Sequence, residues 1–416
     1  MATMSGVAAS VSSNAGQFDR WIRTAFVDLN TELENLYFSH QDRGRVIGVG
    51  DDVKQALRDN GHVHIVKLLA EGNTGDGFEN AFNLLGNVGM YMAALRRHEL
   101  TNPAREERSP FPLASALALH VGASLGMAPR FATSHLATHN KAVAGVRKSF
   151  TSLTDEFLFI DDNTRGIIGL QSAADAIMRV VHLGVSSPVA DVLFENAATA
   201  LKSVVSINER LFKRLDPQRF FYSVRPYYKP YRVGRQEYRG ANAGDFPGIN
   251  QLDLLLGLCR ANDPYYSQLL VDKMLFMRPD DQARLRECMT YRSLLDDLLE
   301  LSCTHANAPW YQNNARAYLQ VCDLFGQTAA QHHNELVRKF IELPAADLDE
   351  ASKQGITASG PPLPVLLRSL ELLRDMRMAA DVSGVTTRYA DLARLRQSIR
   401  GTEQFESQTA ADGLGA

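Results

Sequence analysis

The sequence predicts an all-α protein, and three observations lead to that fold class. Most of the chain repeats apolar residues every three or four positions, the spacing that gives a helix one apolar face. Stretches that alternate apolar and polar residues, as a half-buried strand does, are scarce; the nearest, "GHVHIVKLL" at 61–69, is weak. Two irregular stretches, 225–248 and 356–364, are rich in glycine and proline and separate helical segments. Together these patterns indicate a helical bundle.

The elements are predicted in chain order. Residues 1–15 are small and polar, and we expect them to be disordered. A first helix is expected over 18–38, where apolar residues recur at the helical period. The same pattern predicts helices over 80–100, 114–126, 167–184, 189–215, 291–303, 315–343 and 364–382.

Length and composition predict two domains and a cytoplasmic location. The chain of 416 residues exceeds what one hydrophobic core usually serves, so we expect a small N-terminal helical domain (16–150), a larger C-terminal domain (151–400) and a flexible tail (401–416). A net charge of −3 gives no electrostatic reason to expect nucleic acid or an anionic membrane as partner. No apolar run has the length of a transmembrane helix. The 4 cysteines form no CxxC pair, which favours a reduced protein without a disulfide scaffold.

The common enzyme signatures are missing from the sequence. It has no P-loop, no GxSxG elbow and no HExxH motif. The "HLATH" stretch would place His135 and His139 on one face of a helix, a spacing that suits a metal ion. Without a third ligand nearby, a core or surface role is the more frequent one for such a pair.

Two adjacent histidines stand in the helical pattern "AQHHNELVRKFIELPA". At about 100° per residue, His333 falls at the centre of an apolar cluster and His332 on its polar rim. The cluster consists of Leu336, Val337, Phe340 and Ile341. A buried imidazole without a partner costs about 1–3 kcal/mol, so His333 needs a carbonyl, a carboxylate or a metal ion. A core histidine with an ordinary hydrogen bond is the commonest of these cases.

A cluster of aromatic residues surrounds one arginine in "DPQRFFYSVRPYYKPYRVG". Arg225 lies among Phe220, Phe221, Tyr222 and Tyr228. Such a group suits a planar ligand with a carboxylate, because the rings can stack on it while the guanidinium forms a bidentate pair. A helix end packed by aromatic rings, with the arginine capping carbonyl groups, explains the same residues equally well.

Several of these motifs carry a family resemblance. The stretch 216–225 and "LDLLLGL" at 252–258 resemble the core signature of indoleamine 2,3-dioxygenase, a haem-dependent aromatic oxygenase. "HHNELVRKFIELPA" resembles that family's proximal-histidine helix, and in its register His333 falls on the haem ligand. "RPYYKPYRVGRQEYRG" at 225–240 is more similar to the monodechloroaminopyrrolnitrin synthase family, the ring-rearranging branch of the superfamily. The likeness covers roughly residues 110–375.

The resemblance implies a role for individual residues. His333 would bind the iron of a b-type haem through Nε2, leaving Nδ1–H for another acceptor. Arg225 would hold the substrate carboxylate or a haem propionate, and Phe220 and Phe221 would wall the distal pocket. The backbone of "GANAGDFPG" at 240–248 would approach the haem edge. The remaining assignments are Gly240, Ala241 and Gly244 to the cofactor, and Tyr222, Tyr228, His135 and Ser172 to the substrate; Gln171 is the alternative to Ser172.

The implied function is oxidation of an indole. The bundle would enclose haem b, and dioxygen would be used to oxidise or rearrange the ring of tryptophan or a substituted tryptophan. "TASGPPLP" replaces the dioxygenase's Gly-Thr-Gly-Gly-Thr loop, which favours a specialised enzyme of secondary metabolism. Two alternatives stay open: a haem protein that hydroxylates or N-oxidises an aromatic amino acid, and a non-catalytic helical binding protein. A homodimer is a candidate assembly.

Overall fold

The computed structural model describes residues 13–72, 77–346 and 362–399. Over these residues the all-α prediction is confirmed, since helices make up most of the structure. The strands among the described residues form one antiparallel hairpin, β1 (Tyr231–Val233) and β2 (Gln236–Tyr238), in which Tyr231 pairs with Tyr238. None of the described helices combines the length and apolar character needed to cross a membrane.

The chain divides into two compact units. The first unit comprises Met1–Phe131, Asn140–Leu153 and Lys229–Arg239, and the second comprises Ala132–His139, Thr154–Tyr228 and Gly240–Ala416. The helices of the first unit are α1 Asn14–Arg23, α2 Ala25–Ser39, α3 Asp51–Glu71, α4 Gly77–Arg97 and α5 Pro112–Leu125. The helices of the second unit are α6 Thr154–Leu183, α7 Ala190–Arg214, α8 Pro217–Arg219, α9 Pro247–Leu255, α10 Pro264–Met274, α11 Pro279–Cys288, α12 Leu294–His305, α13 Pro309–Gln331, α14 Leu343–Ala346 and α15 Leu363–Arg377. Residues 389–399 are also helical.

The N-terminal region differs from its sequence prediction in three places. The first helix begins at Asn14, with Ser13 as its cap, inside the stretch predicted to be disordered; residues 1–12 lie outside the described part, as does the predicted tail. The single helix expected over 18–38 is two helices, because Thr24 leaves the helical conformation (φ −126°, ψ −99°). The third difference is α3, for which no helix was predicted and which contains the weakly alternating stretch 61–69.

A central helix organises the first unit. Most residues of α4 are buried, and Gly89 lets it approach the backbone so closely that a Cβ there would lie 2.0 Å from Phe131 N. The same unit buries charges in pairs, such as Arg97 with Glu34, whose two oxygens accept at 2.7 and 2.8 Å. Since a buried charge needs compensation, these pairs fix how the helices pack.

The second unit is built on α6, α7, α9 and α13, whose apolar faces form one large core. Its most buried ion pair joins α9 to α15. Asp253 is fully buried and accepts from Arg377 Nε at 2.9 Å and Arg377 Nη2 at 2.8 Å. Tyr266 donates its hydroxyl to the same carboxylate at 2.6 Å. The aspartate of "LDLLLGL" is therefore a structural anchor of this unit.

Candidate functional site

The arginine segment, Phe220–Tyr228, combines a π-helical turn (Phe220–Val224) with a 3₁₀ turn (Arg225–Tyr228). Within these two turns Phe220, Phe221 and Arg225 are all buried. The Arg225 guanidinium carbon lies 5.8 Å from the centroid of the Phe221 ring. Burial lowers the pKa of Arg225 to about 10, which leaves the guanidinium charged at pH 7.

The aromatic side chains of this segment contact several other parts of the unit. Phe220 packs against Phe159 of α6, with centroids 5.0 Å apart, and edge-on against Phe340 at 5.8 Å. Phe221 joins a small apolar cluster with Ile341, Ala345 and Leu363. The arginine segment is thus packed directly against the stretch that carries the two histidines.

The two tyrosines predicted to contact substrate lie in different surroundings. Tyr228 is buried, with its ring edge-on to Phe159 at 6.0 Å. Burial, reinforced by the negative charge of Glu156, raises the pKa of Tyr228 well above its usual value, so the phenol stays protonated. Tyr222 is half-buried and lies edge-on to Phe221, with centroids 4.9 Å apart.

The two histidines begin the histidine segment, His332–Glu342, an 11-residue π-helical stretch that continues α13. His333 is half-buried, and its Nδ1 is buried without a hydrogen-bond partner among the described residues. Burial and the charge of Arg374 lower the pKa of His333, whereas Glu371, Asp375 and Glu342 raise it; the net shift is downward. An imidazole with a lowered pKa is neutral at pH 7, which is the form that can bind a metal.

His332 keeps an accessible side chain, although it lies among other protein groups. Dehydration by those groups, followed by the positive charge of Arg377, lowers the pKa of His332 to about 4; Lys273 acts in the same direction. The two imidazoles therefore face different neighbours: His332 the cations of α10 and α15, and His333 mainly carboxylates.

The expected burial of His333 is met only in part, and the winding of the helix explains the difference. Val337, Phe340 and Ile341 are buried as predicted. The sequence argument assumed the turn of an α-helix, but a π-helix bonds residue i to i+5 and puts more residues into each turn. This winding brings Glu342 among the charged neighbours of His333, a position that the α-helical projection does not give.

The glycine-rich loop, residues 240–246, precedes α9 and is held by side chains. Thr133 Oγ1 donates to the Asn242 carbonyl at 3.0 Å, and the Gly244 amide donates to Asn242 Oδ1 at 2.9 Å. The Asn242 amide in turn donates to the Asp245 carboxylate at 3.0 Å. Gly240 and Ala241, two predicted cofactor contacts, are buried at the start of the loop, and the third, Gly244, is half-buried.

His135 is buried in a 3₁₀ turn (Thr133–His135) rather than on a helix. Its Nδ1 accepts from the Ala132 amide at 2.9 Å. Because of this turn, His135 and His139 do not share a helical face as the HxxxH spacing suggested. The Thr133 contact described above places the His135 turn next to the glycine-rich loop.

Gln171 and Ser172, the two candidates for one substrate contact, lie in different surroundings. Ser172 is accessible, and its hydroxyl donates to the Ile168 carbonyl within α6 at 2.9 Å. Gln171 faces α9, where its Nε2 donates to Gln251 Oε1 at 3.0 Å. At Gly248, where α9 begins, an added Cβ would lie only 2.9 Å from Gln171 Cα. Gln171 is thus the residue of the two that packs beside the end of the glycine-rich loop.

A family model described as monodechloroaminopyrrolnitrin synthase PrnB matches residues 12–399. The chain belongs to this family. It is accordingly an enzyme, a haem-dependent oxygenase that acts on tryptophan derivatives in antibiotic biosynthesis. Membership does not favour the alternative of a non-catalytic binding protein.

The family assignment gives the geometry its context. The described residues contain no group of three or more His, Cys, Asp or Glu side chains arranged to hold a metal ion. A haem iron differs from such sites, because four of its ligands come from the porphyrin and one protein imidazole is enough. Haem is the cofactor of the PrnB family.

The residues that hold these segments and the loop in place were not predicted from the sequence. Arg377 and Tyr266 hold Asp253, and Lys273 approaches both Asn250 and the position of Gly244. Asp253 lies in the "LDLLLGL" motif, but the motif does not indicate that its aspartate forms a buried ion pair. Lys273 lies in an ordinary amphipathic stretch, and nothing in the local pattern marks it as buried.

Proposed function

We propose that this member of the PrnB family binds haem b through His333 and uses dioxygen to oxidise or rearrange the indole ring of tryptophan or a substituted tryptophan, within secondary metabolism. The observation that carries the assignment is the neutral His333 imidazole, half-buried on a segment packed against Phe220 and Phe221. Its Nδ1 is buried without an acceptor among the described residues, so a hydrogen bond from Nδ1–H to a nearby carboxylate would both satisfy this nitrogen and direct Nε2 to the metal.

The residues around His333 fit an axial ligand. A ligating imidazole commonly donates its second N–H to a carboxylate, which fixes the ring and makes the donor nitrogen more basic. Glu371, Asp375 and Glu342 are the carboxylates whose charges reach His333. Nδ1–H would turn to one of them, and Nε2 would face the iron.

The other residues supply binding and orientation. Bound haem contributes the capacity to bind and activate dioxygen. Arg225 stays charged in an apolar setting, where its attraction for a carboxylate is stronger than in water. It would hold the substrate by its carboxylate, with Tyr222 and Tyr228 beside the ring. Phe220 and Phe221 would exclude water from the reacting face, and the backbone at Gly240, Ala241 and Gly244 would border the cofactor.

The residues near the loop have supporting roles in this proposal. The turn that carries His135 would close one side of the substrate pocket through the contact of Thr133 with Asn242. Of the two candidates on α6, Gln171 is favoured over Ser172, because Gln171 faces α9 and Ser172 bonds to its own helix.

The test is a comparison of matched histidine variants. The protein is reconstituted with haem, and absorption spectra of the ferric and the reduced carbon-monoxide forms are recorded for wild type, His333→Ala and His332→Ala. We expect His333→Ala to lose the Soret band of the bound haem and His332→Ala to keep it. The reverse result would assign the iron to His332, and a wild type without any Soret band would overturn the proposal.

The chemistry is tested by the mass of the product. Tryptophan and ring-substituted tryptophans are incubated with the reduced enzyme under ¹⁸O-labelled dioxygen. Label in an opened or oxygenated indole, or a rearranged ring skeleton that forms only when dioxygen is present, supports the proposal. Label on the amino nitrogen instead would favour N-oxidation, the alternative chemistry.

A further inference from the structure

A buried lysine lies beneath the glycine-rich loop. Lys273, on α10, is only 8% exposed, and its Nζ donates to Asn250 Oδ1 at 3.2 Å. Asn250, on α9, is fully buried. Moving an ammonium group out of water is expensive unless polar partners compensate, so a lysine at this position needs a structural or functional reason.

Asn250 connects Lys273 to the glycine-rich loop. Its amide nitrogen donates to the carbonyl oxygens of Gly244 at 3.1 Å and Phe246 at 2.8 Å. One side-chain amide therefore connects the ammonium group to two backbone carbonyls. The positive charge at Oδ1 polarises the amide and strengthens both donated bonds, since hydrogen bonds in a chain reinforce one another where the dielectric is low.

Gly244 lies close to both Lys273 and Asn242, so a larger residue here would have to displace their side chains slightly. A Cβ at Gly244 would lie 3.0 Å from Lys273 Nζ and 3.0 Å from Asn242 Oδ1. Its backbone does not adopt a positive φ, so conformational freedom is not the reason for glycine here. The glycine lets the loop lie directly on the buried lysine.

The same stretch of backbone is held at every second carbonyl. Thr133 holds the carbonyl of Asn242, and Asn250 holds those of Gly244 and Phe246. On the far side, α9 is fixed against α6 where Gly248 meets Gln171. A loop held in this way is preorganised: its shape does not have to be selected when something binds to it.

We propose that Lys273 and Asn250 are positioning residues, which hold the glycine-rich loop in the conformation that accepts the haem and its substrate. The inference rests on the proposed function in one respect: it takes from it that the loop borders the cofactor. Neither residue touches substrate; Lys273 acts through Asn250, and Asn250 acts through the backbone of the loop.

The primary experiment is hydrogen exchange of the haem-free protein, read at the amides of 241–246. Lys273→Met keeps the length of the side chain and removes its charge, and Lys273→Arg keeps the charge. Lys202→Met is the matched control, because Lys202 is an exposed lysine of the same unit. We expect about tenfold faster exchange of the loop amides in Lys273→Met, as if the loop were held by one hydrogen bond fewer. Lys273→Arg should restore much of the protection, and Lys202→Met should match wild type.

The functional readouts are the haem dissociation rate and the division of the effect between KM and kcat. We expect faster haem loss and a KM raised about tenfold in Lys273→Met, with kcat changed by less, since the loop shapes binding rather than the reaction itself. Unchanged loop exchange together with an unchanged KM would overturn the inference. So would exchange that accelerates equally throughout α13, because that would mean general loosening of the unit.

Two further controls keep the outcome interpretable. If Lys273→Met does not fold, Asn250→Ser makes the same comparison, because it removes the bridge and leaves Lys273 in place. The exchange experiment uses no haem, so its result stands even if the wild-type protein shows no Soret band and the proposed function fails. Conversely, a normal Soret band with an unprotected loop in the wild type would reject the positioning role alone.

Discussion

The arginine segment and the histidine segment both leave α-helical winding, yet they end in different states. In the arginine segment Phe220, Phe221 and Arg225 are buried by neighbours of their own unit. In the histidine segment His332 is accessible and His333 is only half-buried. The phenylalanine, valine and isoleucine side chains of both segments are buried, whereas Leu336 is half-buried, so the clearest difference lies in the two imidazoles.

A π-helical turn therefore has a different effect on side-chain burial in each segment. In the arginine segment the π-helical turn buries the two phenylalanine rings and the guanidinium within their own unit. In the histidine segment the π-helical winding leaves the imidazole rings of His332 and His333 only partly covered, beside the arginine segment. A buried ring nitrogen without a hydrogen-bond partner, such as His333 Nδ1, is the feature that calls for a further contact. Each prediction below alters one side of this comparison.

The largest effect is expected at the anchor of α15, the helix that bears the charged neighbours of both imidazoles. Asp253→Ala would leave Arg377 buried without its carboxylate, at a cost of about 3–5 kcal/mol in the free energy of unfolding. Urea unfolding of wild type and variant measures it. Asp323→Ala is the control, because its bridge to Arg396 is exposed and should contribute less than about 1 kcal/mol. Equal losses in the two variants would contradict the assignment of Asp253 as an anchor.

The next effect concerns recognition by the arginine segment. If Arg225 holds the substrate carboxylate, wild type should bind tryptophan more tightly than tryptamine, which lacks that group, by about 1.5–3 kcal/mol. Arg225→Met should bind both amines equally weakly. Arg165→Met serves as the control, because its side chain is 58% exposed and pairs with Asp162. Titration of the Soret band with each ligand gives the dissociation constants. A preference for tryptophan that survives in Arg225→Met would place the carboxylate elsewhere.

How far the sequence could predict these features depends on whether they are local. The helices and the aromatic residues around Arg225 rest on periodicity or a local motif, and the structure provides them within short segments. The choice of His333 as the iron ligand rests on the same kind of local signal and stays a prediction. The break at Thr24 and the π-winding after Gln331 could not be predicted, because helical patterns do not show where tertiary packing changes the turn. The partnership of Lys273, Asn250 and Gly244 joins α10, α9 and a loop, and only the fold brings them together.

A smaller effect is expected for the contact between the two segments. Phe220 and Phe340 meet edge-on at 5.8 Å, a geometry worth about 1 kcal/mol beyond burial. A double-mutant cycle with Phe220→Leu and Phe340→Leu should therefore show a coupling of that size. The control cycle pairs Phe220→Leu with Phe194→Leu, since Phe194 packs on Tyr318 instead. Coupling near zero in the first cycle would mean that the segments are held together by other contacts.

The last prediction uses acid to separate the two imidazoles. Because the pKa of His332 is about 4 in the fold and near 6.5 when unfolded, the unfolded chain binds a proton in this range that the folded chain does not. Stability from this residue is therefore complete above about pH 6.5 and declines as the pH falls towards 4. His332→Asn removes that term, so its melting temperature should fall less steeply than that of wild type between pH 6.5 and pH 4.5. His333→Asn should flatten the curve less, since carboxylates oppose the shift at His333. Parallel curves for all three proteins would show that neither dehydration nor the cations of α10 and α15 lower the pKa of His332, and the contrast between the two imidazoles would be lost.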